Sequence, residues 1–226
     1  MRNVKYVINK LFWYILHVAI LIFGITLSSC TSTLFISSFK DFKPNPVTGY
    51  YSKDFSLYKG DLLTADKINL QKYQNQFCVI LMTGYSADLG PIELYKHFIK
   101  NLGICKRVFD EKELVDFVLK SGYKKDVFLL DTEEGQKSLA KITGTYLILS
   151  LSFQKRYNDT RLMTDLKIID AKTGSVVFEV NREAPSLGAV GSICDIELAP
   201  IFNATIDWRN ECAIRDNQAR MLKLTK

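Results

Sequence analysis

Phe77-Cys-Val-Ile-Leu-Met82 decides the fold: six consecutive apolar residues bounded by Gln76 on one side and Thr83-Gly84 on the other. The length and the abrupt bounds suit a strand buried on both faces, as in a parallel sheet covered by helices on each side. Gly90-Pro91 then opens a helix, with proline at a tolerated first-turn position. Ile92, Tyr95, Phe98, Ile99 and Leu102 recur at helical spacing, and Gly103 closes the pattern. Ile104–Phe109 reads as a second short strand.

The next helix carries the clearest start signal. Asp110 stands at the N-cap and Glu113 three residues later, as in a capping box, with Leu114, Phe117, Val118 and Ser121 on one face and Gly122 past the end. The apolar Val127-Phe-Leu-Leu130 follows as a candidate edge strand. Asp131 and Glu134 repeat the cap pattern before a short helix that turns Leu139, Ala140 and Ile142 inward and stops at Gly144. Three strands follow: Thr145–Tyr157, Arg161–Asp170 and Ser175–Val180, joined by turns at Asn158-Asp159 and Ala171-Lys-Thr-Gly174. In the last strand Val176, Phe178 and Val180 alternate inward against Val177 and Glu179. The order β-α-β-α-α-β-β-β predicts an α/β fold with a mixed sheet and helices packed on it. Beyond Pro185 a C-terminal helix shows an apolar face of Leu198, Ile201, Phe202, Ile206 and Trp208, broken by Pro200.

The N-terminus carries an address. Arg2, Lys5 and Lys10 precede a fifteen-residue apolar run, Leu11–Ile25, interrupted only by His17 and Gly24, and no acidic residue is present. This is the basic, apolar and small-residue sequence of a secretory signal. Its end, Leu27-Ser-Ser-Cys30, resembles the lipobox of bacterial lipoproteins, which implies cleavage before Cys30 and acylation, palmitate included, of that cysteine. Thr31 in place of Asp favours the outer membrane, facing the periplasm, over inner-membrane retention. The rival reading is an uncleaved anchor helix, for which Leu11–Ser29 only just approaches the roughly 20 residues that a span needs.

Residues 1–29 are thus read as a signal peptide, 30–48 as a lipidated tether and 49–75 as an irregular segment that docks on the domain. Residues 76–184 are read as the α/β core and 185–226 as a C-terminal helical extension. About 18 flexible residues give the tether an rms reach of roughly 23 Å. Removing the signal takes three basic residues from a net charge of +6 and leaves a mildly basic chain. The remaining Lys and Arg residues are not clustered as a nucleic-acid footprint would require.

Four cysteines follow Cys30: Cys78, Cys105, Cys194 and Cys212. An exported chain lives where disulfides persist, and four cysteines allow three pairings. Cys194 and Cys212 share the C-terminal segment and are the expected pair. Cys78 and Cys105, at the starts of two strands, either meet as sheet neighbours or are buried small apolar residues.

A catalytic constellation is not legible. His97, the sole histidine after the signal, falls on a lysine-rich helix surface. Glycines 84 and 90 flank a strand-to-helix turn, but Tyr85, Asp88 and Leu89 crowd or repel a phosphate there. Glu133-Glu134 fits a solvated helix start. The reading is a non-enzyme without metal or cofactor.

Leu139-Ala-Lys-Ile-Thr-Gly-Thr-Tyr-Leu-Ile148 resembles the helix-to-strand turn of a family of envelope domains. The family includes the amino-terminal domain of TolB, the curli secretion-channel lipoprotein and the lipoproteins that activate peptidoglycan synthases. Ile168-Ile-Asp-Ala-Lys-Thr-Gly-Ser-Val-Val177 is similar to a hairpin of the same family, and the resemblance spans about residues 76–182. Thr143 and Thr145 depart from its usual Leu and Ala. The resemblance implies a lipid-anchored envelope module that acts through a protein partner or in an oligomer, without nucleic acid. An envelope enzyme of another chemistry and a structural subunit of an envelope oligomer are the alternatives.

Overall fold

The run Phe77–Met82 lies within a strand flanked on both sides by parallel neighbours. The computed structural model describes residues 41–52, 56–57, 60–84, 92–122, 132–144, 146–155, 162–184 and 194–224. In chain order the elements are β1 (Leu62–Ala65), β2 (Phe77–Gly84), α1 (Ile92–Leu102), β3 (Arg107–Asp110), α2 (Glu111–Lys120), α3 (Glu133–Thr143), β4 (Leu147–Lys155), β5 (Leu162–Asp170), β6 (Ser175–Ala184) and α4 (Ala199–Leu224). A short 3-10 turn occupies Leu70–Lys72, and a π-helical turn, Cys194–Leu198, leads directly into α4. The strands form one mixed sheet in the order β1-β6-β5-β4-β2-β3. β2 pairs parallel with β3 and β4, whereas β4, β5, β6 and β1 pair antiparallel in turn. The α/β class and the mixed sheet expected from the sequence are therefore present.

Alternation along β2 sorts the core into two layers. Phe77, Val79 and Leu81 join Leu114 and Val118 of α2, Leu139 and Ala140 of α3, and Tyr146 and Ile148 in one buried cluster. Cys78 and Ile80 point the other way, toward the face that holds Leu149, Leu166, Ile168, Phe178 and Val180. There α1 and α4 pack: Phe98 stacks on Phe202 with ring centroids 3.7 Å apart, and Phe178 meets Trp208 at 5.4 Å.

The capping box of α2 forms as read, Asp110 accepting from the Glu113 N–H at 2.8 Å and Glu113 from the Asp110 N–H at 3.1 Å. In α3 the N-cap is Thr132, one residue beyond the expected Asp131, its hydroxyl accepting from the Gly135 N–H. Gly122 and Gly144 stop these helices with φ of 86° and 89°, a conformation that side chains oppose.

Several boundaries differ from the sequence reading. β1 lies inside the stretch read as irregular; its four residues have little periodicity, and Leu62 and Leu63 are both exposed. β3 begins at Arg107 and β6 runs on to Ala184. Val177 is buried where an outward position was expected. The β5–β6 register shifts there, Ile168 facing Phe178 and Ile169 facing Val176, so Val177 is the extra residue of a bulge. Pro200 does not break α4; it stands two residues past the π turn, where the helical hydrogen-bond pattern changes, and the helix continues through it. Phe42, within the stretch read as tether, is already docked, its ring packing on Tyr51 and Phe202. Val127–Leu130 and the side chain of Ile142 lie outside the described residues.

The expected Cys194–Cys212 bridge is replaced by another. Cys78 and Cys105 form a disulfide with Cα atoms 6.0 Å apart, and Cys212 is a buried free thiol. The reason is geometric: the π turn and α4 are continuous, so eighteen residues of helical rise separate Cys194 from Cys212 by about 27 Å. A bridge tolerates less than about 7 Å between Cα atoms. The disulfide closes the β2-α1-β3 crossover, 27 residues in sequence, which in the chain-entropy model contributes about 3.5 kcal/mol. Cys105→Ala should lower stability by about 2–4 kcal/mol, read from the urea midpoint of oxidised protein. Equal midpoints for oxidised wild type, reduced wild type and variant would show that the bridge contributes nothing.

Candidate interaction site

The chain leaves the carboxyl ends of β2 and β3 toward opposite faces of the sheet, because α1 packs with α4 and α2 joins the other layer. A crevice opens between the two departures, the position outside the carboxyl ends of strands where open α/β sheets take ligands. It has a volume of about 680 Å³. Ile80 and Met82 of β2, Ile92 of α1, and Val115 and Leu119 of α2 give it apolar walls, and Leu119 is 44% exposed. Asp110, Glu111 and Asp116 rim it, with Lys112 the one cation among its described residues.

One lysine sets the spacing of the walls. Lys96 of α1 reaches across to α2, its Nζ 2.7 Å from Asp110, 2.9 Å from Glu113 and 3.4 Å from Glu93 of its own helix. Partial burial pulls the ammonium down, but the hydrogen bonds and charges of Asp110 and Glu113 outweigh it and hold Lys96 above its ordinary range. Partial burial likewise pushes the Asp110 carboxyl up, and Lys96 with the backbone N–H groups of Glu113 and Lys112 holds it below the usual range. Asp110 and Glu113 are thus committed to the fold. Glu111 and Asp116 form no ion pair among the described residues and give the rim its free negative charge.

A second polar node lies under the π turn. Arg182, 3% exposed, donates to Ser56 O at 2.9 Å and to Asp61 Oδ2 at 3.2 Å. Glu197, 1% exposed, accepts from the Thr164 hydroxyl at 3.1 Å and lies 4.0 Å from Arg182 Nε. Burial pushes the Glu197 carboxyl up to about 7; Arg182 and Thr164 oppose the shift and Asp61 adds to it. The node joins β5, β6, the π turn and the segment before β1. Sequence reading missed it, although Arg182 continues the inward series Phe178, Val180 and so carried a signal.

The residues singled out in the sequence do not converge. His97 is exposed on α1, and Glu133 at the start of α3 pairs with Lys137 one turn on. Cys212 Sγ lies 3.8 Å from Asp66 O. Cys30, the turn 85–91 and the Cys194 side chain lie outside the described residues. Among the described residues, no group of three or more His, Cys, Asp or Glu could hold a metal ion, and no helix is long and apolar enough to cross a membrane.

No protein-family model and no curated protein matches the chain. Solved structures similar to it include lipoprotein GNA1162 from Neisseria meningitidis, at a TM-score of 0.37 and 10% identity over 58% of this chain and 93% of that one. The LpoB C-terminal domain from Salmonella enterica gives 0.31 and 14% over 55% and 86%. A PelC dodecamer from Paraburkholderia phytofirmans gives 0.35 and 12% over 66% and 96%. At these values none assigns a role to the chain.

Two outcomes are expected. Glu197 binds a proton more tightly folded than unfolded, so its contribution is fully present below about pH 4.5 and is lost as pH rises through about 7. Glu197→Gln should therefore remove a stability loss of order 2–3 kcal/mol between pH 5 and pH 8, measured by denaturant titration at each pH. A wild-type curve that is flat over that window would contradict the assignment. His97→Ala should change stability by less than about 0.5 kcal/mol in the same assay.

Proposed function

We propose that the chain is a lipid-anchored cell-envelope protein whose domain is a non-enzymatic interaction module, and that the crevice between α1 and α2 receives its partner. The anchor is Cys30, acylated after removal of residues 1–29, and Thr31 favours the outer membrane with the domain in the periplasm. The Cys78–Cys105 bridge supports an exported location, because structural disulfides persist in oxidising compartments.

The crevice carries the binding half of the reading. Its apolar walls are held at fixed spacing by Lys96, so little ordering cost falls on association. Its free carboxylates, Glu111 and Asp116, select the occupant by charge: a segment of a partner protein with apolar side chains flanked by Lys or Arg.

A photoreactive residue at Leu119 should cross-link in the native envelope to one abundant protein, while the same residue at the exposed Val47 should not. Asp116→Lys should reduce the Leu119 adduct at least fivefold. Cys30→Ala should abolish acyl labelling and leave the precursor unprocessed. Identical adducts from Leu119 and Val47 would remove the crevice from the reading, and continued acylation of the Cys30 variant would remove the anchor.

A further inference from the structure

At the opposite, amino-terminal ends of β2 and β3 lies a second cavity, of about 440 Å³. Its floor is aromatic. Phe77 is 5.5 Å from Phe109 and 6.3 Å from Phe117, and Phe109 stacks on Phe117 at 5.3 Å between ring centroids. Phe109 and Phe117 are only half-buried, so the cavity meets their rings directly. The rim carries Lys106 and Arg107, both exposed, and among the described residues no carboxylate lines the cavity. Neither cation forms an ion pair among the described residues. The Lys106 N–H donates to Gln76 O at 2.8 Å, which fixes the rim against the start of β2.

A purely structural role for the two cations is to answer the carbonyl ends of α2 and α3, which reach the cavity at Ser121 and Thr143. Part of that role is taken by groups of the helix ends themselves. Phe117 O accepts from the N–H and hydroxyl of Ser121, Leu139 O from the Thr143 hydroxyl and Ala140 O from the Gly144 N–H. Each helix end also amounts to only about half a charge. Two full cations against two half-charges leave the cavity about one unit positive above an exposed apolar floor.

We infer that this cavity binds a small amphipathic anion, with an apolar body on Phe77, Phe109 and Phe117 and a phosphate or carboxylate on Lys106 and Arg107. The volume lies within the range of small-molecule sites, and the guanidinium offers the paired donors that such oxyanions take. The anion belongs either to a membrane lipid headgroup or to a free metabolite. The site is separate from the crevice, and its test does not depend on the partner.

The full acylated chain, labelled with [13C]phenylalanine and held in phosphatidylcholine nanodiscs, is titrated with hexyl phosphate, hexyltrimethylammonium and inorganic phosphate. Hexyl phosphate should shift the Phe109 and Phe117 ring signals saturably, and Lys106→Gln/Arg107→Gln should weaken that binding at least tenfold without moving the thermal midpoint. The hydrophobic cation and the bare anion should each bind at least tenfold more weakly than hexyl phosphate. Ring shifts on exchange into phosphatidylglycerol nanodiscs assign the anion to a lipid; their absence, with hexyl phosphate still bound, assigns it to a free ligand. Undiminished binding by the double variant, equal binding of the hydrophobic cation, or equal binding of inorganic phosphate would overturn the inference.

Discussion

The Phe98–Phe202 stack is the contact on which the rest of the molecule depends. Phe202 meets Phe98 and Tyr95 of α1, and also Phe42 and Tyr51 of the segment before the sheet. Three pieces far apart in sequence therefore converge on one ring. Large aromatic residues bury the most area per side chain, and offset or tilted neighbours add to it. Without Phe202 the C-terminal helix would lose its ring contacts with α1 and with the segment before the sheet, and Trp208 on Phe178 would be left to hold it to β6.

That layer also decides where ligands can go. With α1 committed to the α4 side and α2 and α3 to the other, the carboxyl ends of β2 and β3 diverge and the amino-terminal ends stay open beneath the helix termini. The antiparallel half of the sheet, β4 to β6, takes no helix from a crossover. It supplies the rigid surface against which the parallel half is held.

The strongly patterned parts of this architecture were legible in the sequence. Phe77–Met82 announced the central strand, and Asp110 with Glu113 announced α2, because local chemistry alone determines both. The bulge at Val177 was not legible, since it arises from register with β5, and β1 was not, since four largely exposed residues owe their strand state to β6. Cysteine pairing failed for the same reason. Proximity in sequence favoured Cys194 and Cys212, whereas a continuous helix keeps them apart and a parallel pairing brings Cys78 and Cys105 together. Of the crevice, the helix starts could be read, but the reach of Lys96 to the next helix is a tertiary fact.

The N-terminal segment is laid along α4 in a definite order. Tyr51 N–H donates to Asn203, Trp208 Nε1 donates to Asp66 O, and Leu70 N–H donates to Asp216. A pull on the chain at Phe42 therefore loads the Tyr51–Asn203 contact first and reaches edge strand β1 next, while the contacts at Asp66 and Leu70 hold the chain beyond that strand. Helix α4 acts as a mechanical backstop on both sides of β1: tension arriving from the N-terminal side falls on a clamped edge strand, at the far edge of the sheet from β2 and β3, where the two cavities lie.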